Sequence, residues 1–344
     1  MKSYIIAEAG VNHNGSEQLA LELIDAAAES GSDAVKFQTF KAEKLVAKGT
    51  STAEYQRKQT GSNDQYAMLK KLELTEDFHR TLIKRCEKVN IEFLSTPFDI
   101  DSAKFLVSLG MKRIKIPSGE LTNLPFIREL SRFNLPMILS TGMSDLSEVK
   151  DAINAIQETR DFYSFTEKLT DKLTVLHCTS NYPAKYEDIN LKAIRTMKRD
   201  LALPIGYSDH TDGIFVSVAA IAMGAVLIEK HFTLDRALPG PDHQASLEPQ
   251  ELKLMVKQIR QIESCIGDGI KQPKDNELPI RDLVRRSVVL ATDKLVGEKI
   301  CTNDLILLRP GTGIAPKDID KVIGRRLKKS ISVGEMLNWQ DLAE

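Results

Sequence analysis

Short, almost wholly apolar runs alternate along most of the chain with longer segments whose apolar residues recur every three or four positions. The runs are Tyr4–Ala9, Ala34–Thr39, Glu92–Thr96, Arg113–Pro117, Met137–Ser140, Leu173–Cys178, Pro204–Tyr207 and Val226–Lys230. Strands buried on both faces lose the in/out alternation and read in this way. Between them, Ser16–Ser30, Thr75–Val89, Leu146–Gln157 and Gly213–Met223 carry the helical period. Ser16-Glu17 and Thr75-Glu76-Asp77 set a capping hydroxyl ahead of acids, which predicts helix starts there. Eight β-then-α units in roughly 265 residues predict a (β/α)₈ barrel. A doubly wound open sheet is the alternative, but no GxGxxG follows the first strand.

The pattern changes after Gly267. Residues 271–279 are polar with two prolines, a linker composition. We read a barrel over 1–268, a linker over 269–284 and a small module over 285–344. In that module the short apolar runs Ser287–Ala291, Leu305–Leu308 and Lys321–Leu327 are divided by Gly, Pro and Asp. A mainly β or mixed fold of this size builds no large core and is expected to pack on something else. Ala47–Met68, weakly periodic, falls where a barrel inserts an active-site loop.

Composition narrows the function. The 344 residues carry 47 Lys+Arg against 48 Asp+Glu, so no electrostatic footprint for nucleic acid or an anionic membrane is present. The stretch Ile214–Ile228 is too short and interrupted to span a bilayer, and no leader precedes the first strand. Cys86, Cys178, Cys265 and Cys301 are scattered, without a CxxC pair. The expectation is a reduced, soluble, cytoplasmic protein.

Barrel chemistry gathers at the carboxyl ends of the strands. Those ends carry Glu8 with Asn12, Lys36 with Gln38, Ser95 with Thr96, Lys115 with Ser118 and Glu120, Ser140 with Thr141, His177 with Thr179, Ser208-Asp209-His210, and Glu229-Lys230-His231. His210 and His231, at neighbouring termini, can share a divalent ion, with Glu8 adding a carboxylate directly or through water. Lys36 and Lys115 lie inside apolar strands, where an ammonium needs an anion. Three readings stay open for them: pairing with internal acids, an anionic ligand, or a Schiff-base amine. Ser118, Ser140 and Ser208 can donate to phosphate oxygens. Asp242 follows Pro239-Gly240-Pro241 and is expected on a rigid exposed loop. Arg309, in a Pro-Gly setting, can be aimed at a ligand. His13 reads as part of the first βα turn and His79 as a surface helix residue.

These residues fall into motifs that resemble the sialic acid synthases, the N-acetylneuraminate synthase group with its legionaminic and pseudaminic acid synthases. The motifs are residues 6–15 (IAEAGVNHNG), 35–39 (VKFQT), 95–98 (STPF), 115–120 (KIPSGE), 140–143 (STGM), 208–210 (SDH), 229–233 (EKHFT), 239–243 (PGPDH) and 309–313 (RPGTG). The resemblance implies a (β/α)₈ TIM barrel followed by an antifreeze-like SAF domain, assembled as a domain-swapped homodimer. It implies a phosphoenolpyruvate-dependent carbon–carbon bond-forming transferase acting on an N-acylated hexose. N-Acetylmannosamine, giving N-acetylneuraminate, is the first expectation; 2,4-diacetamido-2,4,6-trideoxymannose, giving N,N'-diacetyllegionaminic acid, is the alternative. By the same match His210 and His231 hold Mn²⁺, or Mg²⁺ or Co²⁺. Lys36, Thr96, Lys115, Ser118, Ser140 and Ser208 take phosphoenolpyruvate, as does Ser180, where some members carry Asn. Gln38 joins the substrate set. Glu8, Glu120, Tyr182 and Asp242 fall at sugar-side and catalytic positions, and Arg309 reaches the partner's sugar site. Three competing readings are a synthase of another 2-keto-3-deoxy sugar acid, a Schiff-base aldolase using Lys115, and an ice- or carbohydrate-binding tail on a barrel scaffold.

Overall fold

The apolar runs pair as parallel strands. The computed structural model describes residues 2–52, 57 and 61–343. Its strands are β1 (Tyr4–Gly10), β2 (Ala34–Thr39), β3 (Glu92–Pro97), β4 (Ile114–Ile116), β5 (Met137–Ser140), β6 (Leu173–Cys178), β7 (Ile205–Asp209) and β8 (Leu227–His231). They form one eight-stranded sheet in the order β3-β2-β1-β8-β7-β6-β5-β4. β3 and β4 lie side by side, with no ladder between them among the described residues, so the ring is nearly closed.

Each strand is followed by a helix: α1 (Glu17–Ser30), α2 (Glu76–Val89), α3 (Ile100–Ser108), α4 (Leu124–Ser131), α5 (Leu146–Phe162), α6 (Lys192–Leu201), α7 (Phe215–Ala222) and α8 (Pro249–Cys265). The helix starts are where the capping residues place them. Ser16 and Thr75 accept from the amides of Leu19 and Phe78, and Asp145 closes a capping box with Glu148 at the head of α5. α1 stops at Gly31, whose φ of 82° suits glycine. The barrel core interdigitates Ile5, Ile6, Phe37, Leu94, Ile114, Leu139, Val175, Ile205 and Ile228 with apolar helix faces.

Two strands run further than the apolar pattern predicts. β7 continues past Tyr207 through Ser208-Asp209 and β8 past Lys230 to His231, so these polar residues belong to the ladder itself. Two expectations are corrected. His79 is buried on α2, its Nδ1 donating to the Thr75 carbonyl at 2.7 Å and its Nε2 2.8 Å from Thr39 Oγ1. Asp242 is also buried, because Pro241, Asp242 and His243 fold inward after β8.

The chain divides into two units at Gly267/Asp268. In the second, Leu278–Val284 is a helix within the stretch read as linker. β9 (Ser287–Leu290) and β10 (Leu305–Leu308) pair antiparallel. Val288, Leu290, Ile300, Ile314, Val322, Leu327, Ile331, Leu337 and Leu342 form a separate apolar cluster there. No described helix is long and apolar enough to cross a membrane.

Candidate active site

The register of the parallel ladder decides which polar side chains meet. Glu8 stands opposite Lys36 on β2 and His231 on β8, and Ser208 opposite Glu229. Alternate residues of a strand face the same side, so Glu229 and His231 share one face, as do Lys36 and Gln38. Between Glu8 and Gly10 the pairing slips, and Gly10 takes a φ of 53° that a side chain resists.

These side chains line a cavity of about 470 Å³. Glu8, Lys36, Gln38, Thr96, Lys115, Ser118, Ser140, Ser180, Tyr182, Ser208, His210, His231 and Asp242 all border it. Glu120 and Arg309 do not. Glu120 accepts from Asn123 Nδ2 at 2.7 Å in the short turn after β4, and Arg309 is an exposed residue of the C-terminal unit. His177 also stays out of the cavity, bonded through Nε2 to the Ile189 carbonyl at 2.7 Å.

Glu229, which the sequence reading places at a strand end but gives no role, organises the charges. Lys115 Nζ donates to its two oxygens at 2.7 and 3.0 Å, Ser208 Oγ donates at 2.9 Å, and Lys36 Nζ lies 3.6 Å away. Lys36 is also 2.7 Å from Glu8 Oε2 and donates to Thr96 Oγ1 at 2.9 Å. Of the three readings for the lysines, pairing with internal acids is therefore present in the structure, and both ammonium groups still face the cavity. The alternation of inward and outward residues around Lys230 was the available signal for Glu229.

Burial sets the electrostatics. It pushes the Glu8 carboxyl up to about 7 against the pull of Lys36. Burial pushes Glu229 the same way, but Lys115 and Lys36 together outweigh it and hold that carboxyl below the usual range. Burial lowers Lys115; Lys36, facing Glu229 and Glu8, is raised in spite of burial. Desolvation alone pushes Asp242 up to about 6.

His210 and His231 have ring centroids 5.5 Å apart, and Tyr182 lies against both, at 4.2 and 5.6 Å. Burial pushes His210 down to about 4 and His231 well below its usual value, so both imidazoles are neutral, the form that binds metals. Nδ1 of His210 donates to the Thr179 carbonyl at 2.6 Å, which fixes the ring and leaves Nε2 with a lone pair. Nδ1 of His231 is buried without a hydrogen-bond partner. These two imidazoles fit a divalent cation. Among the described residues, no group of three or more His, Cys, Asp or Glu is gathered as a ligand set.

A hydroxyl cradle lies opposite. The Gly142 amide donates to Ser118 Oγ at 2.9 Å, Ser118 Oγ lies 3.1 Å from Cys178 Sγ, and Ser140 Oγ is buried with no partner. A Cβ on Gly142 would stand 2.2 Å from Ser180 Oγ and 2.9 Å from Ser118 Oγ, so only glycine lets these hydroxyls converge. The remaining wall is mostly apolar, Val11, Leu45, Val46, Met68, Leu69, Leu72 and Phe98, with Gln65 the polar side chain among them. Met68 ends the Ala47–Met68 stretch that the sequence marks as an active-site loop, and Leu45 and Val46 directly precede it; residues 53–56 and 58–60 of that stretch lie outside the described set.

Comparison with known proteins matches nearly the whole chain. The sequence model of the NeuB family matches residues 23–271, and that of the SAF domain matches 285–343. An N,N'-diacetyllegionaminic acid synthase of Legionella pneumophila is 54% identical over 99% of this chain and 95% of its own length. The Campylobacter jejuni protein of the same name is 45% identical over 98% and 99%. Human N-acetylneuraminate-9-phosphate synthase is 33% identical over 94% of this chain and 88% of its own. Among solved structures, a sialic acid synthetase of Leptospira borgpetersenii in complex with citrate aligns with a TM-score of 0.70 and 34% identity, covering 81% of this chain and 90% of that one.

Proposed function

The chain belongs to the NeuB family and carries a SAF domain, and from that premise we propose that it is an N,N'-diacetyllegionaminic acid synthase. It is a phosphoenolpyruvate-dependent, carbon–carbon bond-forming enzyme. In the proposed reaction it condenses phosphoenolpyruvate with 2,4-diacetamido-2,4,6-trideoxymannose and water, releasing phosphate. This sugar replaces N-acetylmannosamine as the first reading. Two legionaminic acid synthases are 54% and 45% identical, against 33% for the N-acetylneuraminate-9-phosphate synthase. The apolar wall of Leu45, Val46, Met68 and Leu69 carries the choice, since it suits a deoxy methyl and acetamido methyls better than hydroxyls.

Each part of the cavity then has a task. Lys36 and Lys115 neutralise the enol phosphate and its carboxylate, while Thr96, Ser118, Ser140, Ser180 and Ser208 hold the oxygens. Gln38, Tyr182 and Asp242 orient the open-chain sugar so that C3 of the enol faces its aldehyde carbon. A divalent ion held by His210 and His231 would supply the Lewis acidity that polarises the aldehyde oxygen. A new C–C bond forms as the enol π electrons attack, leaving positive charge at C2. Glu8, held near neutrality in pKa by burial, takes a proton from the water that adds at C2. Glu8 returns that proton to the former aldehyde oxygen, which becomes a hydroxyl; the C2–O bond to phosphate then breaks with its electron pair, and the phosphate leaves with the proton of the C2 hydroxyl, so that the 2-keto acid remains. Glu120 and Arg309 remain candidates for the sugar side, Arg309 from a second copy of the chain.

The deciding experiment feeds the purified chain phosphoenolpyruvate, Mn²⁺ and either sugar, and follows phosphate release. The diacetamido sugar should be favoured at least about tenfold in kcat/KM, the worth of one apolar group in a pocket. Preference for N-acetylmannosamine would overturn the sugar; absence of phosphate release with both, or a borohydride-trapped pyruvate adduct on Lys115, would overturn the reaction.

A further inference from the structure

His210 and His231 each follow a charged residue, and the two charges are opposite: Asp209 and Lys230. The β7–β8 register sets these residues directly across from one another. Since successive side chains point to opposite faces of a strand, the pair faces away from the cavity that Ser208, His210, Glu229 and His231 line. Both side chains are fully buried, with Lys230 Nζ 3.2 Å from Asp209 Oδ2.

The pair is closed by a small ring of bonds. Lys230 Nζ donates to the Thr211 carbonyl at 2.5 Å. Asp209 Oδ1 accepts from the Thr211 amide at 2.9 Å and its hydroxyl at 2.7 Å, and Oδ2 accepts from Ser217 Oγ at 2.6 Å. Thr211 follows His210 directly. The backbone on both sides of His210 is thereby fastened to β8 one residue before His231. A dry ion pair of this kind gives little net stability, since well-packed apolar residues of the same volume often do as well. What it adds is a fixed geometry between two strand ends.

We propose that Asp209 and Lys230 are positioning residues that set the spacing of the two imidazoles and thereby the affinity of the divalent-cation site. The inference rests on the reading of His210 and His231 as metal ligands given above. Neither residue touches the ion; both act through the backbone that carries the ligands.

The test titrates Mn²⁺ alone into the metal-free, full-length chain by calorimetry, alongside thermal melting without metal. The Asp209→Leu/Lys230→Met double variant removes the pair without leaving a lone buried charge. It should stay folded, melting below the wild type because the Thr211 amide and the Thr211 and Ser217 hydroxyls lose their acceptor, and bind Mn²⁺ about tenfold more weakly or worse, the scale on which outer partners of metal ligands act. Ser217→Ala, which deletes one donor to Asp209, should weaken binding several-fold with its melting temperature kept. Wild-type Mn²⁺ affinity in the folded double variant would overturn the proposal. Should that variant not fold, wild-type affinity in Ser217→Ala would overturn it instead. A wild-type chain that binds no Mn²⁺ would remove the metal reading and this inference with it, whereas tight wild-type binding with unaltered variants would remove only the inference.

Discussion

The six histidines of this chain are all held below their ordinary pKa by burial, and His13 shows what that implies for acid stability. His13 is fully buried in the first βα turn, as the sequence reading expects, with Phe37 and Phe78 rings 6.2 and 6.0 Å away. Its Nδ1 accepts the Gly15 amide at 2.9 Å, and its Nε2 has no partner. A proton on this ring would be a cation without an anion, and burial, then the nearby His79 and His243, pushes it down from 6.5 to about 4. The folded value lies below the unfolded one, so protonation favours the unfolded chain. The contribution is intact above pH 6.5 and drains away as the pH falls towards 4. At about 1.4 kcal/mol per unit, this one group costs about 2 kcal/mol between pH 7 and pH 5, and about 3 kcal/mol in full. His13→Gln keeps an acceptor for Gly15 and cannot be charged. Urea unfolding at a series of pH values, followed by far-UV circular dichroism, reads the barrel helices; Trp339, the single tryptophan, lies in the other unit and would report on that instead. The wild type should lose stability more steeply than His13→Gln by up to about 1.4 kcal/mol per pH unit in this window. Parallel curves for the two proteins would refute the argument.

Other perturbations probe the cavity. Gly142→Ala drives a methyl into Ser180, Cys178 and Ser118; it should cost about 1–3 kcal/mol of fit at the cradle, seen as a rise of about tenfold or more in the KM for phosphoenolpyruvate. Glu229→Gln leaves the Lys115 and Lys36 ammonium groups short of an anion; the free enzyme should lose about 3–5 kcal/mol, and phosphoenolpyruvate should raise its melting temperature more than it raises that of the wild type. Met68→Gln puts an amide into the apolar wall; the kcat/KM preference for the trideoxy sugar over N-acetylmannosamine should fall about tenfold. Arg309→Ala, at an exposed position, should leave the melting temperature and the KM for phosphoenolpyruvate unchanged while raising the sugar KM about tenfold or more, the worth of a hydrogen bond to a charged group.

The barrel was legible because parallel strands buried on both faces cannot hide their apolar character, and because Ser16 and Thr75 mark helix starts by a local hydrogen bond. His79 was misread although its position was available. His79, Leu82 and Cys86 recur at three- and four-residue spacing and share the buried face of α2. The burial of Asp242 was not available locally, since Pro239-Gly240-Pro241 reads as a turn whichever way it folds. That loop turns inward through a long-range bond: Ser246 Oγ, which donates to the Asp242 carbonyl at 2.7 Å, accepts from Asn12 Nδ2 at 3.0 Å, 234 residues away.

The strand ends explain both the convergence of the proposed residues and the omission. Thirteen of the fifteen side chains proposed from the sequence border one cavity, because polar residues that interrupt an apolar strand at its carboxyl end have few other places to go. The same interruption hid the last residues of β7 and β8, where Ser208, Asp209 and His231 look like loop by composition but are ladder by hydrogen bonding. Once they are counted as strand, a period of two sorts them: Ser208, His210, Glu229 and His231 turn inward to the chemistry, while Asp209 and Lys230 turn outward to each other. A reactive group and the support that holds it are thus neighbours in sequence on opposite faces of one strand. Glu229 lay inside the predicted run already, and assigning each residue of that run to a face by the period of two, with Lys230 outward, would have recovered it from the sequence alone.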